Sequence, residues 1–217
     1  MVIIAVLSLL LSACSPVTMV RPIEAKHWAA QASFGGPVIG FSGAAIPVPF
    51  TSVGAAYGLN EVSTVSARWH TTSALFGVAH VDLSYLRQWR AQHGLIPGLS
   101  IMGQGSFMLD KWERNFSFYP ELDLNAWWNL RNKPHYVYTG LTNWYELRAT
   151  GTGDRRQSPR YIPAWNLGFA LEKSKWTTRF ELKYLAPFSS HESLTVDYIA
   201  PGKKGAIGFY VGLTRKF

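Results

Sequence analysis

His80 and Asp82 are separated by one residue, so on an extended strand both side chains project from the same face. A histidine beside a carboxylate can act as a general base, because the acid orients the imidazole and stabilises its cation. Ser84 lies two residues further on and shares that face, but no nucleophile motif surrounds it. Glu121 and Asp123 repeat the spacing elsewhere and could serve as paired carboxylates. The plainer reading of both pairs is a lumen plug, in which polar side chains filling a narrow interior satisfy one another. Catalysis by His80, Asp82 and Ser84 is kept as the alternative. The other histidines, His27, His70, His93, His135 and His191, are dispersed without ligand-like spacing, so each is assigned to a loop or interface and no metal is expected. Cys14 is the single cysteine, which excludes an internal disulfide or a thiol pair. No cofactor is expected.

The elements that carry these residues alternate with a period of two. In Ser117–Leu130, Phe118, Leu122, Leu124, Ala126, Trp128 and Leu130 share one face, and Tyr119, Glu121, Asp123, Asn125, Trp127 and Asn129 the other. Trp176–Ala186 opposes Trp176, Phe180, Leu182, Tyr184 and Ala186 to Thr177, Arg179, Glu181 and Lys183. Tyr161–Glu172 behaves likewise. Weaker segments at about 26–36, 48–57, 61–70, 74–87, 98–109 and 134–148, with the last strand at 206–217, bring the count to ten. No segment shows a helical stripe, and none reaches the roughly 18 consecutive apolar residues of a membrane helix. Composition agrees: 14% of residues are aromatic and 16% charged, against about 25% charged in soluble domains, and mean hydropathy is +0.01. A strand wall with one face in lipid and one on a polar lumen averages to that value. The expected fold is all-β, a closed antiparallel transmembrane β-barrel of about ten strands, with eight or twelve as alternatives. Closure follows because an open edge would leave unpaired amides in hydrocarbon.

The chain opens with thirteen uncharged, almost wholly apolar residues, too short to span a bilayer and right for a secretory signal. Leu11-Ser12-Ala13-Cys14 follows and resembles a bacterial lipobox, in which the cysteine thiol is acylated. No basic residue precedes the apolar run, where a signal normally carries one. The expected organisation is a lipoprotein signal peptide at 1–13, an acylated tether at 14–25 and one barrel domain at 26–217. The chain ends in a strand with Ile207, Phe209, Val211, Leu213 and Phe217 on one face, and its terminal phenylalanine resembles the C-terminal signature of outer-membrane barrels. An even strand count puts both termini in the periplasm.

Phe34-Gly35-Gly36-Pro37, Ile46-Pro47-Val48-Pro49-Phe50-Thr51-Ser52-Val53-Gly54 and Gly212-Leu213-Thr214-Arg215-Lys216-Phe217 resemble a recurring pattern of Bacteroidota-type outer-membrane β-barrel lipoproteins. The resemblance runs over most of the mature chain and implies fold and location, with no established activity attached. Surface-displayed lipoproteins of that group tend to carry an acidic run after the cysteine. Here Ser15-Pro16-Val17-Thr18 follows, which implies anchoring on the periplasmic side of the outer membrane.

The net charge is +8. The strand map puts a compensating polar network in the lumen, made of Arg68, His80, Asp82, Glu121, Asp123, Glu146, Arg179, Glu181 and Lys183. The remaining bases fall at the rims, among them Lys111, Arg114, Arg148, Arg155, Arg156 and Arg160 outside. Basic rims suit the phosphates of outer-membrane lipids and lipopolysaccharide. Nucleic acid is not expected as a partner, since export and the absence of a recognition module oppose it. The expectation is a non-enzymatic outer-membrane barrel lipoprotein of a Gram-negative bacterium, structural or an accessory subunit of a larger outer-membrane protein complex. A docking patch would lie around Gly103, Gly105 and Asn143. The alternatives are a barrel enzyme acting on lipid A or peptides through His80 and Asp82, and a narrow pore.

Overall fold

The computed structural model describes residues 16–112, 114–130, 133–147, 161–190 and 197–217. The expected signal, the lipobox with Cys14, Arg148, Arg155, Arg156, Arg160 and His191 lie outside the described residues.

Ten long strands run up and down around a closed wall: β1 (Trp28–Phe41), β3 (Phe50–Asn60), β4 (Ser63–His70), β5 (Val78–Arg90), β6 (Gly98–Asp110), β7 (Phe116–Asn129), β8 (Tyr136–Tyr145), β9 (Tyr161–Lys173), β10 (Trp176–Ser190) and β11 (Lys204–Lys216). Each pairs antiparallel with its sequence neighbour, and β11 closes on β1 from Ala29↔Lys216 to Pro37↔Gly208. The ten expected strands are all present. Their common cause is alternation: β10 buries Thr177, Arg179, Glu181, Lys183 and Leu185 and turns Trp176, Phe180 and Leu182 outward. β7 does the same with Ser117, Tyr119, Glu121, Asp123, Asn125 and Trp127 inward.

The polarity of the wall is inverted relative to a soluble protein. Leu83, Leu122, Leu124, Leu141, Leu167 and Leu182 cover the middle of the outer surface, while the buried residues include Arg68, Asp82, Asp123, Glu181 and Lys183. In water each exposed leucine would forfeit about 25 cal/mol per Å² of apolar surface. In hydrocarbon that penalty vanishes. Aromatic residues gather toward the rims, with Trp28, Trp176 and Phe217 at the end that carries the C-terminus and Trp69 and Trp112 at the other. These positions suit interfacial girdles.

Two local elements depart from the alternation. The segment expected to be strand from residue 74 begins only at Val78, because Thr71–Leu75 forms a short helix, α1, and Gly77 turns the chain with φ +80°. A single helical turn is too short to imprint a stripe on the sequence. It docks through hydroxyls, with the Thr51 side chain bonded to those of Thr71 and Thr72 at 2.5 and 2.8 Å. Beyond the barrel rim, β1 continues to Phe41 and folds back on β2 (Ala44–Pro47), a hairpin longer than the 26–36 segment expected.

The third departure fills the interior. Pro16 to Ile23 do not lie outside as a tether; they run inside the lumen, with Val17, Thr18, Met19, Val20 and Ile23 all buried. The chain then turns at Glu24–His27 at the rim and enters β1. At that turn Lys26 takes a left-handed backbone (φ +63°), uncommon for a residue with a side chain. Its amide donates to the Gly58 carbonyl at 2.7 Å. Gly58 is needed there, since a Cβ at that position would stand 2.1 Å from the Glu24 carbonyl oxygen.

Candidate functional site

Near the barrel end opposite the C-terminus, β4 and β5 bring together residues that sequence spacing had separated. His70 is the last residue of β4, and His80 and Asp82 face inward from β5. His70 Nε2 lies 2.7 Å from Asp82 Oδ2, and His80 Nε2 lies 3.1 Å from Oδ1. Ser106 Oγ on β6 donates to Oδ1 at 2.7 Å, and the Arg68 guanidinium stands 4.0 Å from Oδ2. The two imidazoles stack with centroids 3.6 Å apart and planes 4° from parallel. On α1, Ser73 Oγ lies 3.4 Å from His80 Nδ1. All of these side chains are buried.

His70 thus belongs to the cluster and corrects its assignment to a loop or interface. The available signal was parity: Ser66, Arg68 and His70 alternate inward along β4. Ser84 does not join His80; its hydroxyl is bonded to Ser66 Oγ at 2.6 Å. The serine beside the imidazole is instead Ser73, supplied by a helix the alternation could not reveal.

The arrangement fits a shared carboxylate better than a shared ion. His70, His80 and Asp82 each offer one donor atom within 4.8 Å of the others. Parallel rings 3.6 Å apart, however, direct their Nε2 lone pairs side by side and not at one point, whereas a bound metal needs convergent donors at about 2.1 Å. Each ring is satisfied by donating Nε2–H to one Asp82 oxygen. A nucleophilic reading needs an accessible hydroxyl, and Ser73 is 1% exposed.

The lower lumen is organised around the backbone of the inserted segment. Lys183 Nζ donates to the Pro16 carbonyl at 2.8 Å, Arg68 to that of Val17 at 3.2 Å and Arg179 to that of Thr18 at 3.2 Å. Ser100 donates to the Val20 carbonyl at 2.7 Å. In the other direction, the Thr18 amide donates to the Glu181 carboxylate, the Val17 amide to Ser33 Oγ and the Ile23 amide to Thr64 Oγ1. Glu181 also accepts from Tyr138 at 2.8 Å and lies 3.3 Å from Lys183 Nζ. At the rim, Arg21 stacks on Trp127 and Tyr136 and pairs with Glu172 at 3.5 Å, while Glu24 pairs with Lys216 at 3.2 Å. A void of about 10 Å³ lies beside Val17, room for roughly one water.

All nine residues of the expected lumen network face inward and are buried. Arg68 bridges the two layers, reaching both Asp82 and the Val17 carbonyl, and through Gln104 it is linked to Glu121. Glu121 and Asp123 sit on β7 with Asn125, across from Thr142 and Asn166. Both Asn125 and Asn166 keep their side-chain amides without a protein hydrogen bond among the described residues. Buried amides of that kind normally bond to ordered water.

Beneath α1, a groove of about 400 Å³ is lined by Trp69, Val78, Ala79 and Leu109 together with Asp110, Lys111 and Arg114. Of the three residues expected to mark a docking patch, Gly103 leaves an open dent, Gly105 lies under Phe107 and Phe118, and Asn143 bonds to the Leu122 carbonyl.

No family model matches the chain, and no curated protein matches it. Among solved structures, the NanC porin aligns over 88% of this chain and 100% of that chain, with 10% identity and a TM-score of 0.50. The translocator domain of autotransporter NalP from Neisseria meningitidis aligns over 88% of both chains, with 11% identity and a TM-score of 0.47. The outer membrane protein OprG from Pseudomonas aeruginosa aligns over 92% of this chain and 99% of that chain, with 13% identity and a TM-score of 0.36. The chain has the fold of an outer-membrane β-barrel, closed by ten antiparallel strands.

Proposed function

We propose that this chain is a non-enzymatic outer-membrane β-barrel lipoprotein of a Gram-negative bacterium, acylated at Cys14, with a structural or accessory role in an outer-membrane assembly. The observation that carries the reading is the engagement of the lumen charges: Arg68, Arg179, Glu181 and Lys183 all bond to the backbone of residues 16–18. Groups committed to holding a segment of the same chain are poorly placed to bind a solute or turn over a substrate. The apolar outer wall supports residence in a bilayer, and the signal-like start and lipobox support export with an acyl anchor on the periplasmic side. The groove under α1, lined by Trp69 and Leu109 and by Lys111 and Arg114 beside Asp110, suits the acyl chains and phosphates of an anionic outer-membrane lipid such as lipopolysaccharide.

The test is purification from the native outer membrane in mild detergent, with mass spectrometry of the N-terminal peptide and of co-purifying proteins. An acylated Cys14 and stoichiometric recovery of a larger outer-membrane component support the reading. An unmodified N-terminus overturns the lipoprotein part, and recovery with lipid alone overturns the accessory role. Ser73, His80 and Asp82 favour one second reading, a barrel hydrolase acting on lipid A, because serine, imidazole and carboxylate lie in sequence. That reading requires α1 to lift and expose Ser73.

A further inference from the structure

Asp123 is a buried carboxylate whose charge the lumen bases leave unpaired. Lys183 stands against Glu181 and the Pro16 carbonyl, Arg68 against Asp82, and Arg179 against Thr18 and Thr214. Among the described residues, no lysine, arginine or histidine forms an ion pair with Asp123 or with Glu121. Glu121 accepts a hydrogen bond from the neutral Gln104 at 3.1 Å. A buried charge in that condition is costly, so a proton or a cation from outside the chain must compensate it.

Unpartnered oxygen atoms surround the same point of the wall. Asp123 Oδ1, Thr142 Oγ1 and the side-chain amides of Asn125 and Asn166 have no hydrogen bond among the described residues. Each of these four residues is at most 3% exposed. The sheet gathers them: Asp123 pairs with Thr142, and in the adjoining inward row Asn125, Gly140 and Asn166 stand side by side on β7, β8 and β9. Gly140 opens the space between the two amides. A Cβ there would stand 2.2 Å from Asn125 Oδ1 and 3.0 Å from Asn166 Nδ2, so a glycine is needed for both heads to face one gap. The two ends of an asparagine amide exchange by a half-turn, which brings Asn166 Oδ1 to that gap. Water would satisfy the amides and leave the charge of Asp123 standing. A cation satisfies both.

We propose that Asp123, Asn125, Thr142 and Asn166 form a calcium site in the lumen wall, with Glu121 supplying a second negative charge one row further on. Calcium takes roughly 6–8 oxygen ligands at about 2.3–2.6 Å, drawn from carboxylates, amide carbonyls and water. Directly opposed strand residues hold their Cβ atoms about 4.5–5.5 Å apart and diagonal ones about 7–8 Å, distances that short polar side chains bridge through one ion. Magnesium demands a near-ideal octahedron and sheds water reluctantly, which side chains fixed on three strands suit less. Lys183 lies in the same row beside Asn166, but its ammonium is turned to Glu181 and Pro16. The ion cross-links β7, β8 and β9, and its binding requires no acyl anchor.

The experiment refolds metal-free protein from urea into phosphatidylcholine vesicles with EDTA, with calcium, or with terbium(III) as a luminescent calcium probe. Trp144 and Trp127 occupy the rows on either side of the site, so tryptophan excitation reports bound terbium. The expected result is saturation at one terbium per barrel, displacement by calcium, and a higher urea midpoint in calcium than in EDTA. Asp123→Asn removes a charge at nearly constant shape, and Gly140→Ala fills the gap; each should weaken terbium binding at least tenfold. Asp82→Asn changes an equally buried carboxylate in the histidine cluster and should leave binding unchanged. Heat-modifiable gel migration verifies folding of each variant, and the parent titration decides the matter without them. Undiminished luminescence in folded Asp123→Asn or Gly140→Ala overturns the site, as does an equal loss in Asp82→Asn. A parent protein that binds no terbium and unfolds alike in calcium and EDTA holds water and neutral carboxyls there, which also overturns it.

Discussion

Lys183 donates a hydrogen bond from Nζ to the Pro16 carbonyl at 2.8 Å, joining the middle of β10 to a segment 167 residues away in sequence. The same ammonium stands 3.3 Å from Glu181, so one buried cation holds the inserted segment and neutralises the carboxylate beneath it. Such a pair is costly to break from one side, because the partner is left charged and unpaired.

Lys183→Met should therefore destabilise the barrel by about 3–5 kcal/mol. The check is urea-induced unfolding in lipid vesicles, followed by tryptophan fluorescence and by heat-modifiable gel migration. A midpoint equal to that of the parent protein would mean that Lys183 is solvated in the lumen and does not hold Pro16.

The fall of polarity inside this barrel was legible wherever a residue sat on a strand. Arg68, Asp82, Glu181 and Lys183 alternate with lipid-facing neighbours, and period two is a strong signal over ten or more residues. Residues 16–23 were opaque for the opposite reason. Their apolar side chains follow neither a period of two nor one of 3.6, because residues 16–20 are surrounded on all sides and have no solvent face to mark. His70 was lost among dispersed histidines because its partners, Asp82 and His80, come from the next strand, and pairing register is not written in spacing. Ser73 depended on a helix of one turn.

Gly58→Ala should loosen the inserted segment without disturbing the sheet. The added Cβ would meet the Glu24 and Ile23 carbonyl oxygens at 2.1 and 2.7 Å, both backbone atoms that cannot swing aside. Overpacking of this kind costs about 1–3 kcal/mol. The reporter is trypsin cleavage after Lys26, expected to accelerate severalfold. Gly103→Ala, where nothing lies within 4 Å of the new methyl, should leave cleavage unchanged. Equal rates in the two variants would count against a tightly seated turn.

Asp82 binds two imidazoles, Ser106 and Arg68, so Asp82→Asn removes the charge that all four share. A loss of about 1–3 kcal/mol follows from leaving buried donors without their acceptor. The loss should be local, read as faster proteolysis around α1, which is tied to the cluster through Ser73 and His80. The same geometry predicts that a His80→Ala strain keeps its lipid A profile by mass spectrometry. A changed acyl pattern would restore the hydrolase reading.

Leu182 and Lys183 are adjacent on β10, yet Leu182 is 50% exposed and Lys183 is 2% exposed, so the strand separates two solvents across a single residue step. If the outer solvent is hydrocarbon, Leu182→Arg places a cation near the bilayer midplane and should cost about 2–4 kcal/mol of folding free energy in lipid vesicles. An outer face in water would accept the same arginine within about 0.5 kcal/mol. Refolding the variant into vesicles of two thicknesses sharpens the test. The thicker bilayer holds position 182 further from its interfaces, so the penalty should rise with thickness, since the cost of a lipid-facing charge grows with depth. A penalty that is absent, or indifferent to thickness, would remove the membrane from this account of the fold.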